Sequence, residues 1–350
     1  MRIAVDIAHF PHFNFYKYAI NLLEKQGVDV DIIVQPRGNL TRIIDHESGW
    51  KYQTIGQYKS SMAGKITNLF TRDLQVLKYL KDGGVDAVTG VGSINMTHGA
   101  FALGKPSVMF EDDVEYKMAY YPYKYLASYI VVPSHLNTEG KNILRYRGYK
   151  ELAYLHPNHF TPSTNILREY GISPRQYVFV REVSNSSLNY SNLNELNLLD
   201  VCRYLKDLKF DIVLSLENKA HINKYKDYCI ILNEPVKDIH SLLHHASLTI
   251  ASGDSMARES CLVGTPAIYT GNKNMSINRD LIERGCFFKV DNVTNVVPWV
   301  KKIVENDIKK ETEAAISRAI KGEWYDTTQV INDVLLGVLR SDEGLIKKYR

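Results

Sequence analysis

Short apolar runs alternate with segments of helical period along this chain, beginning at its first residues. Arg2–Ile7 reads as a strand, residues 13–26 repeat apolar side chains at helical spacing up to Gly27, and residues 28–34 are apolar again. Strand, helix, strand in that order is a βαβ unit and implies a parallel sheet. The pattern continues with a helix over 65–81 stopped by Gly83-Gly84, a strand over 85–90, a helix opened by Gly92-Ser93, and strands over 107–110, 129–134 and 149–155. Residues 41–64 are irregular, and the part with Trp50 and Tyr52 is a short strand or a mobile loop.

Three prolines among polar residues between 157 and 174 read as a linker. Alternation then resumes, with strands over 177–182, 210–216, 229–232, 248–251, 267–269 and 287–290. Helices are expected over 195–208, 219–226, 239–245, from about Ser255, over 275–284 and through 296–320. The polar stretch 183–194 reads as flexible. An amphipathic helix over 326–339 ends the pattern and is placed back across the first domain. The fold class is therefore α/β, with Rossmann-like domains over 1–160 and 175–325 and a crossing helix with its tail over 326–350.

Composition narrows the class without naming a function. With 45% hydrophobic and 23% charged residues, 350 residues are ordinary globular material. Asp6 interrupts the first apolar run, which therefore reads as a strand and not a signal peptide. No apolar run approaches the roughly 20 residues of a membrane span, so a cytoplasmic protein is expected, soluble or at the inner face of the membrane. Cys202, Cys229, Cys261 and Cys286 form no CxxC pair and read as reduced thiols rather than a zinc site. A formal charge of +4, with lysine and arginine dispersed, does not point to nucleic acid.

Chemistry concentrates where strands end. Ser252-Gly253-Asp254-Ser255-Met256-Ala257-Arg258-Glu259 follows a strand and opens a helix, so unpaired backbone N–H groups and the positive dipole end suit a phosphate. Arg258 and Glu259 fall in the first helical turn, and an acid near a nucleotide often takes ribose hydroxyls. An ordinary capped helix fits the same residues. His9 and His12 lie past the first strand, where ligands of parallel sheets bind, although capping or packing on Phe10 and Phe13 would also explain them. Arg181 ends the strand over 177–182. Glu111-Asp112-Asp113-Val114-Glu115 could hold a divalent metal, provide a base, or simply be solvated acids at a helix start. The lysine- and tyrosine-rich run from Met118 to Tyr125 suits a sugar platform or an interfacial surface, and core packing with snorkelling lysines would look the same.

Taken in order, these segments resemble the GT-B glycosyltransferases and the UDP-N-acetylglucosamine 2-epimerases, and above all the DUF354 group. The likeness is carried by Asp6-Ile7 with Pro11-His12-Phe13-Asn14-Phe15-Tyr16-Lys17, by Phe110-Glu111-Asp112-Asp113-Val114-Glu115 and by Tyr154-Leu155-His156-Pro157 with Phe160 and Pro162. Val180-Arg181 and the turn at 252–259 with Gly264-Thr265-Pro266 complete it.

The resemblance implies a GT-B architecture, two Rossmann-like domains facing across a cleft. It implies transfer of a sugar from a UDP-sugar to a glycan or lipid-linked acceptor in surface polysaccharide synthesis, with no cofactor, no catalytic metal and no nucleic acid. The second domain would hold the donor through Arg181, Ser252, Gly253, Asp254, Ser255, Met256, Arg258 and Glu259, with Pro235 and Val236 near the base. On the acceptor side, His12 is the expected general base and Asp113 its runner-up, with His9, Asn14 and Ser93 beside them. An epimerase or hydrolase acting on the same nucleotide-sugar, or a non-catalytic binding protein, are the alternatives. One departure stands out. The family turn is usually richer in glycine, whereas Asp254 stands where a neutral small residue would sit more comfortably, and its charge repels a diphosphate unless it caps the helix or binds a metal.

Overall fold

The computed structural model describes residues 1–57, 62–182, 198–216, 219–233, 236–290 and 296–350. They form two compact units, Met1–His159 with Trp324–Arg350, and Phe160–Glu323.

Unit 1 is built on seven strands, β1 (Arg2–Ile7), β2 (Asp29–Val34), β3 (Tyr52–Thr54), β4 (Ala87–Val91), β5 (Ser107–Phe110), β6 (Tyr129–Pro133) and β7 (Ile143–Tyr146). Their order is β3-β2-β1-β4-β5-β6-β7, and every neighbouring pair is parallel. The apolar runs read from sequence are the strands that this sheet buries on both faces. Strand order reverses between β1 and β4, so right-handed crossovers place helices on both faces. Phe10–Lys25, Leu152–Leu155 and Thr327–Arg340 pack on one another, and Met62–Asp82, Ile94–Ala102 and Lys117–Lys124 lie side by side as the other layer. Thr327 and Thr328 tie the helix Thr327–Arg340 in, donating to the carbonyls of Tyr149 and Ala153 at 2.7 and 2.8 Å.

Unit 2 repeats the plan with β8 (Tyr177–Glu182), β9 (Asp211–Leu216), β10 (Ile230–Ile231), β11 (Leu248–Ala251), β12 (Ala267–Tyr269) and β13 (Phe287–Lys289). The order is β10-β9-β8-β11-β12-β13, again parallel throughout, with the reversal between β8 and β11.

Several segments differ from the sequence reading. The expected strand over 149–155 is the helical turn Leu152–Leu155, after a strand that ends at Tyr146. All four residues of that turn are buried. A short apolar run enclosed on every side carries no periodicity, so strand and helix read alike. The first helix starts at Phe10 rather than 13, because Pro11 sits in the first turn where its missing N–H costs nothing. The irregular stretch 41–64 yields the helix Leu40–Glu47 and strand β3. The helix expected over 219–226 is a 3₁₀ turn, Lys219–His221, followed by Ile222–Tyr225, and that over 275–284 is Ser276–Asn278 followed by Arg279–Glu283. The helices expected through 296–320 are found as Val296–Glu305 and Ile308–Gly322, separated at Asp307, which has φ of 45°. The polar stretch 183–194 lies outside the described residues.

A buried ion pair joins the layers of unit 1. Asp6 on β1 accepts from Arg72 at 2.5 and 3.3 Å and from Ser93 Oγ at 2.5 Å, while Arg72 also donates to Asn95 Oδ1 and to the carbonyl of Ile55. Asp6 and Arg72 are 2% and 3% exposed. Removing one partner strands the other charge out of water, so Arg72→Ala should lower unfolding free energy by about 3–5 kcal/mol in urea titration. A cost under about 1 kcal/mol would mean the pair is solvated.

Candidate functional site

Reversal of strand order splits adjacent loops apart at the carboxyl edge of a parallel sheet, and ligands bind in the opening. In unit 2 that point lies between β8 and β11. Arg181 stands opposite Ala251 across the two strands, and Ser252 donates to the Arg181 carbonyl through its N–H at 3.2 Å and its hydroxyl at 3.3 Å. Gly253 is the N-cap of the nine-residue helix Asp254–Leu262, and it offers no side chain to the first-turn N–H groups. Ser255 is exposed and Met256 half-buried there. The Arg181 guanidinium reaches sideways to Ser215 Oγ on β9 at 2.5 Å.

Asp254 neither caps the helix nor stands in solvent. Its carboxylate is 5% exposed and accepts from Arg258 Nη1 at 2.8 Å, one turn along the helix. Arg258, expected among the donor ligands, is 1% exposed and shares the same nitrogen with Asn278 Oδ1 at 3.1 Å, so its charge serves the interior.

Glu259 keeps a half-buried carboxylate on that helix, 3.4 Å from His240 Nε2. His240 was not singled out from sequence. It begins the helix Ile239–His245 behind the Asp238 cap, and nothing local links it to a residue 19 positions away. Lys309 was also unanticipated. Its Nζ donates to the carbonyls of His244 and Gly264 at 2.6 and 3.0 Å and to Thr265 Oγ1 at 2.6 Å, a cation just past the helix C-terminus. Burial pushes its pKa down to about 8. Val236 is half-buried, and Pro235 lies outside the described residues.

In unit 1 the reversal lies between β1 and β4. His9 is the N-cap of Phe10–Lys25 without a side-chain cap bond, and its ring centroid is 6.0 Å from that of His12. Asn14 is 5% exposed within the same helix. Ser93 is committed elsewhere. Its hydroxyl donates to Asp6 and accepts from the Met96 N–H, so it caps Ile94–Ala102 instead of facing a ligand. Glu111 accepts from the N–H groups of Asp112 and Asp113 at 2.9 and 2.8 Å and from the Tyr123 hydroxyl. Gly92 has φ of 55°, and a Cβ there would lie 3.0 Å from Glu111 Oε2, so glycine lets that carboxyl sit against the turn. Asp112 forms a 2.8 Å ion pair with Lys150, whereas Asp113 remains half-buried. Among the described residues, no group of three or more His, Cys, Asp or Glu is arranged to hold a metal ion.

Burial sets the state of these groups. Burial first, then Arg37 and Lys150, lowers the His9 pKa to about 4. Burial, then His9 and Lys150, holds His12 well below 6.5, with Asp112 opposing, and its Nδ1 is buried with no hydrogen-bond partner. Both rings are therefore neutral at pH 7. Burial, with Asp112, raises the Glu111 pKa.

A histidine with a depressed folded pKa binds fewer protons folded than unfolded, so its contribution to stability is present above the unfolded pKa near 6.5 and is lost as pH falls toward the folded value. Thermal stability should decline from pH 6.5 to about 4, and His9→Gln should flatten that slope in melting curves. An unchanged slope would show that His9 titrates alike in both states.

The model of the family described as "Protein of unknown function (DUF354)" matches residues 1–330. The uncharacterized protein MJ0665 of Methanocaldococcus jannaschii is 21% identical over 310 residues, covering 85% of this chain and 90% of that protein. Among solved structures, the UDP-GlcNAc 2-epimerase from Neisseria meningitidis bound to UDP-GlcNAc matches with a TM-score of 0.66 at 12% identity, covering 98% of this chain and 100% of the other. The glycosyltransferase VinC in complex with dTDP matches with a TM-score of 0.67 at 14% identity, with the same coverage. At such identities the likeness shows a shared fold, that of GT-B proteins. With the family model matching residues 1–330, the chain belongs to the DUF354 family.

Proposed function

We propose that this protein transfers a sugar from a nucleoside-diphosphate sugar, a UDP-sugar, to a hydroxyl of a glycan or lipid-linked acceptor. The observation that supports this reading most is the turn after β11, where an uncapped helix N-terminus adjoins the strand end bearing Arg181. The N–H groups of Asp254, Ser255 and Met256 meet the diphosphate, and Arg181 stabilises the charge that develops as it leaves. Ser252 and Gly253 shape the turn. Glu259, steadied by His240, takes the ribose hydroxyls. The inward pairing of Asp254 with Arg258 answers the expected repulsion, because the carboxylate is buried and its charge is offset by the guanidinium 2.8 Å away.

On unit 1, His12 takes the proton of the acceptor hydroxyl as its oxygen attacks the anomeric carbon and the nucleoside diphosphate departs. A neutral imidazole with a buried Nδ1 is in the form this step needs. Asp113 is the runner-up, and His9 and Asn14 line the acceptor side.

A second reading is epimerisation or hydrolysis of the same nucleotide-sugar. Glu111, Asp112 and His12 gathered at one strand edge supply acids and bases that could move a proton without any acceptor. Incubation with UDP-N-acetylglucosamine alone separates the two, since only this reading yields a new sugar in that mixture.

In calorimetry against UDP, Arg181→Ala and Glu259→Ala should each weaken binding roughly 10- to 100-fold, the worth of a charge-assisted hydrogen bond. His12→Ala should leave UDP affinity unchanged and lower kcat on the order of 10²- to 10⁴-fold. Because the His12 pKa is depressed, the acid limb of kcat/KM should fall well below pH 6.5. Full turnover by His12→Ala with donor binding lost in the other two would remove the base assignment and leave the donor site standing.

A further inference from the structure

We propose that the helix layer Met62–Asp82, Ile94–Ala102 and Lys117–Lys124 of unit 1 is a docking surface for an anionic lipid bilayer. Among the described residues, unit 1 exposes nine large apolar side chains, and six of them belong to this layer. Phe70 and Leu74 stand one turn apart on the first helix, Phe101 on the second, Met118 and Tyr121 on the third, and Tyr125 at its C-cap. Leu74, Met118 and Tyr125 are 69%, 73% and 77% exposed. The opposite layer buries its apolar residues under the helix Thr327–Arg340, whereas this layer carries most of the exposed ones of unit 1. A scatter of single exposed apolar residues is ordinary, whereas a concentration on one layer marks an interaction surface.

The charge of the layer selects the partner. Among the described side chains the three helices carry five cationic residues, Arg72, Lys78, Lys81, Lys117 and Lys124, against Asp73 and Asp82. Arg72 is spent on Asp6, and Asp73 is held by His98 and Asn95. Lys78, Lys81 and Lys117 are exposed. The Lys124 ammonium lies 5.3, 5.9 and 5.6 Å from the rings of Tyr120, Tyr121 and Tyr125. Tyrosines around a lysine present an apolar body with polar tips, the composition of an interfacial belt. A second copy seated isologously would bring the same lysines against their own image, which repels. An anionic leaflet attracts each of them and accepts a ridge of Met and Tyr side chains without a matching pocket. Among the described residues no helix is long and apolar enough to cross a membrane, so the contact is peripheral.

The surface belongs to unit 1 and the proposed donor site to unit 2, and its test needs no nucleotide-sugar. The full chain is sedimented with vesicles of phosphatidylcholine alone or with a third phosphatidylglycerol, at low and high salt. Binding to the anionic vesicles should exceed that to the neutral ones by roughly tenfold or more and fall with salt. Met118→Glu with Tyr125→Glu, and separately Lys81→Glu with Lys117→Glu, should each reduce it at least tenfold while circular dichroism and melting stay unchanged, since these side chains are exposed. Equal binding to both vesicle types, or binding indifferent to the substitutions, would overturn the proposal. So would a dimer in light scattering that the Met118 and Tyr125 changes dissolve, because the face would then belong to a second copy.

Discussion

Parallel pairing governs the rest of this molecule. A parallel neighbour can be reached only by crossing back over the sheet, so each unit needs a helix between strands and all strands release their chains at one edge. Where the order reverses, at β1/β4 and β8/β11, the two released chains diverge, and the backbone leaves an opening that no local sequence specifies. The residues of both candidate sites stand at or just past the ends of those strands: His9 and Gly92 in one unit, Arg181, Ser252 and Gly253 in the other. Their placement follows from topology first and from side-chain chemistry second.

Buried charge sorts the candidates into those that hold the fold and those left to a ligand. Asp6 with Arg72, Asp254 with Arg258, and Lys309 with the helix end at Gly264 are charges removed from water with partners at hydrogen-bond distance. Such groups are costly to move and unsuited to meeting a substrate. His9 and His12 solve burial the other way, by giving up charge. Proton transfer asks for a group that is neutral and able to accept, which is what desolvation leaves at His12.

Much of the fold was legible because apolar runs bounded by glycine and proline repeat along the chain, and a strand's carboxyl end is visible wherever such a run stops. Candidate positions for a site can be named to the same depth, since residues just past strands can be picked out without knowing their contacts. Pairings cannot. Ser93 looked like a ligand until its hydroxyl met Asp6, 87 positions away, and Lys309 serves Thr265 across 44. Arg258 was four residues from Asp254 in plain view, yet helix spacing says only that the two share a face; which way that face turns is decided by packing. The run at 149–155 failed for the opposite reason, because complete burial erases the alternation that distinguishes strand from helix.

The two reversal points also differ in the backbone donors they leave open. In unit 1 the helix after β4 is capped by Ser93, which spends the Met96 N–H, and the helix after β1 carries Pro11 in its first turn and so lacks one donor. In unit 2 the helix after β11 begins with Gly253, while the hydroxyl of Ser252 turns away to the Arg181 carbonyl. A helix start leaves backbone donors that water, a side chain or a ligand must satisfy. With a glycine cap, no side chain of this turn competes for them. An arginine on the neighbouring strand end adds positive charge, and the only acid in the first turn is tied to Arg258. That combination favours an anion at the second reversal and a neutral, proton-accepting environment at the first, in keeping with the donor and acceptor sides proposed above.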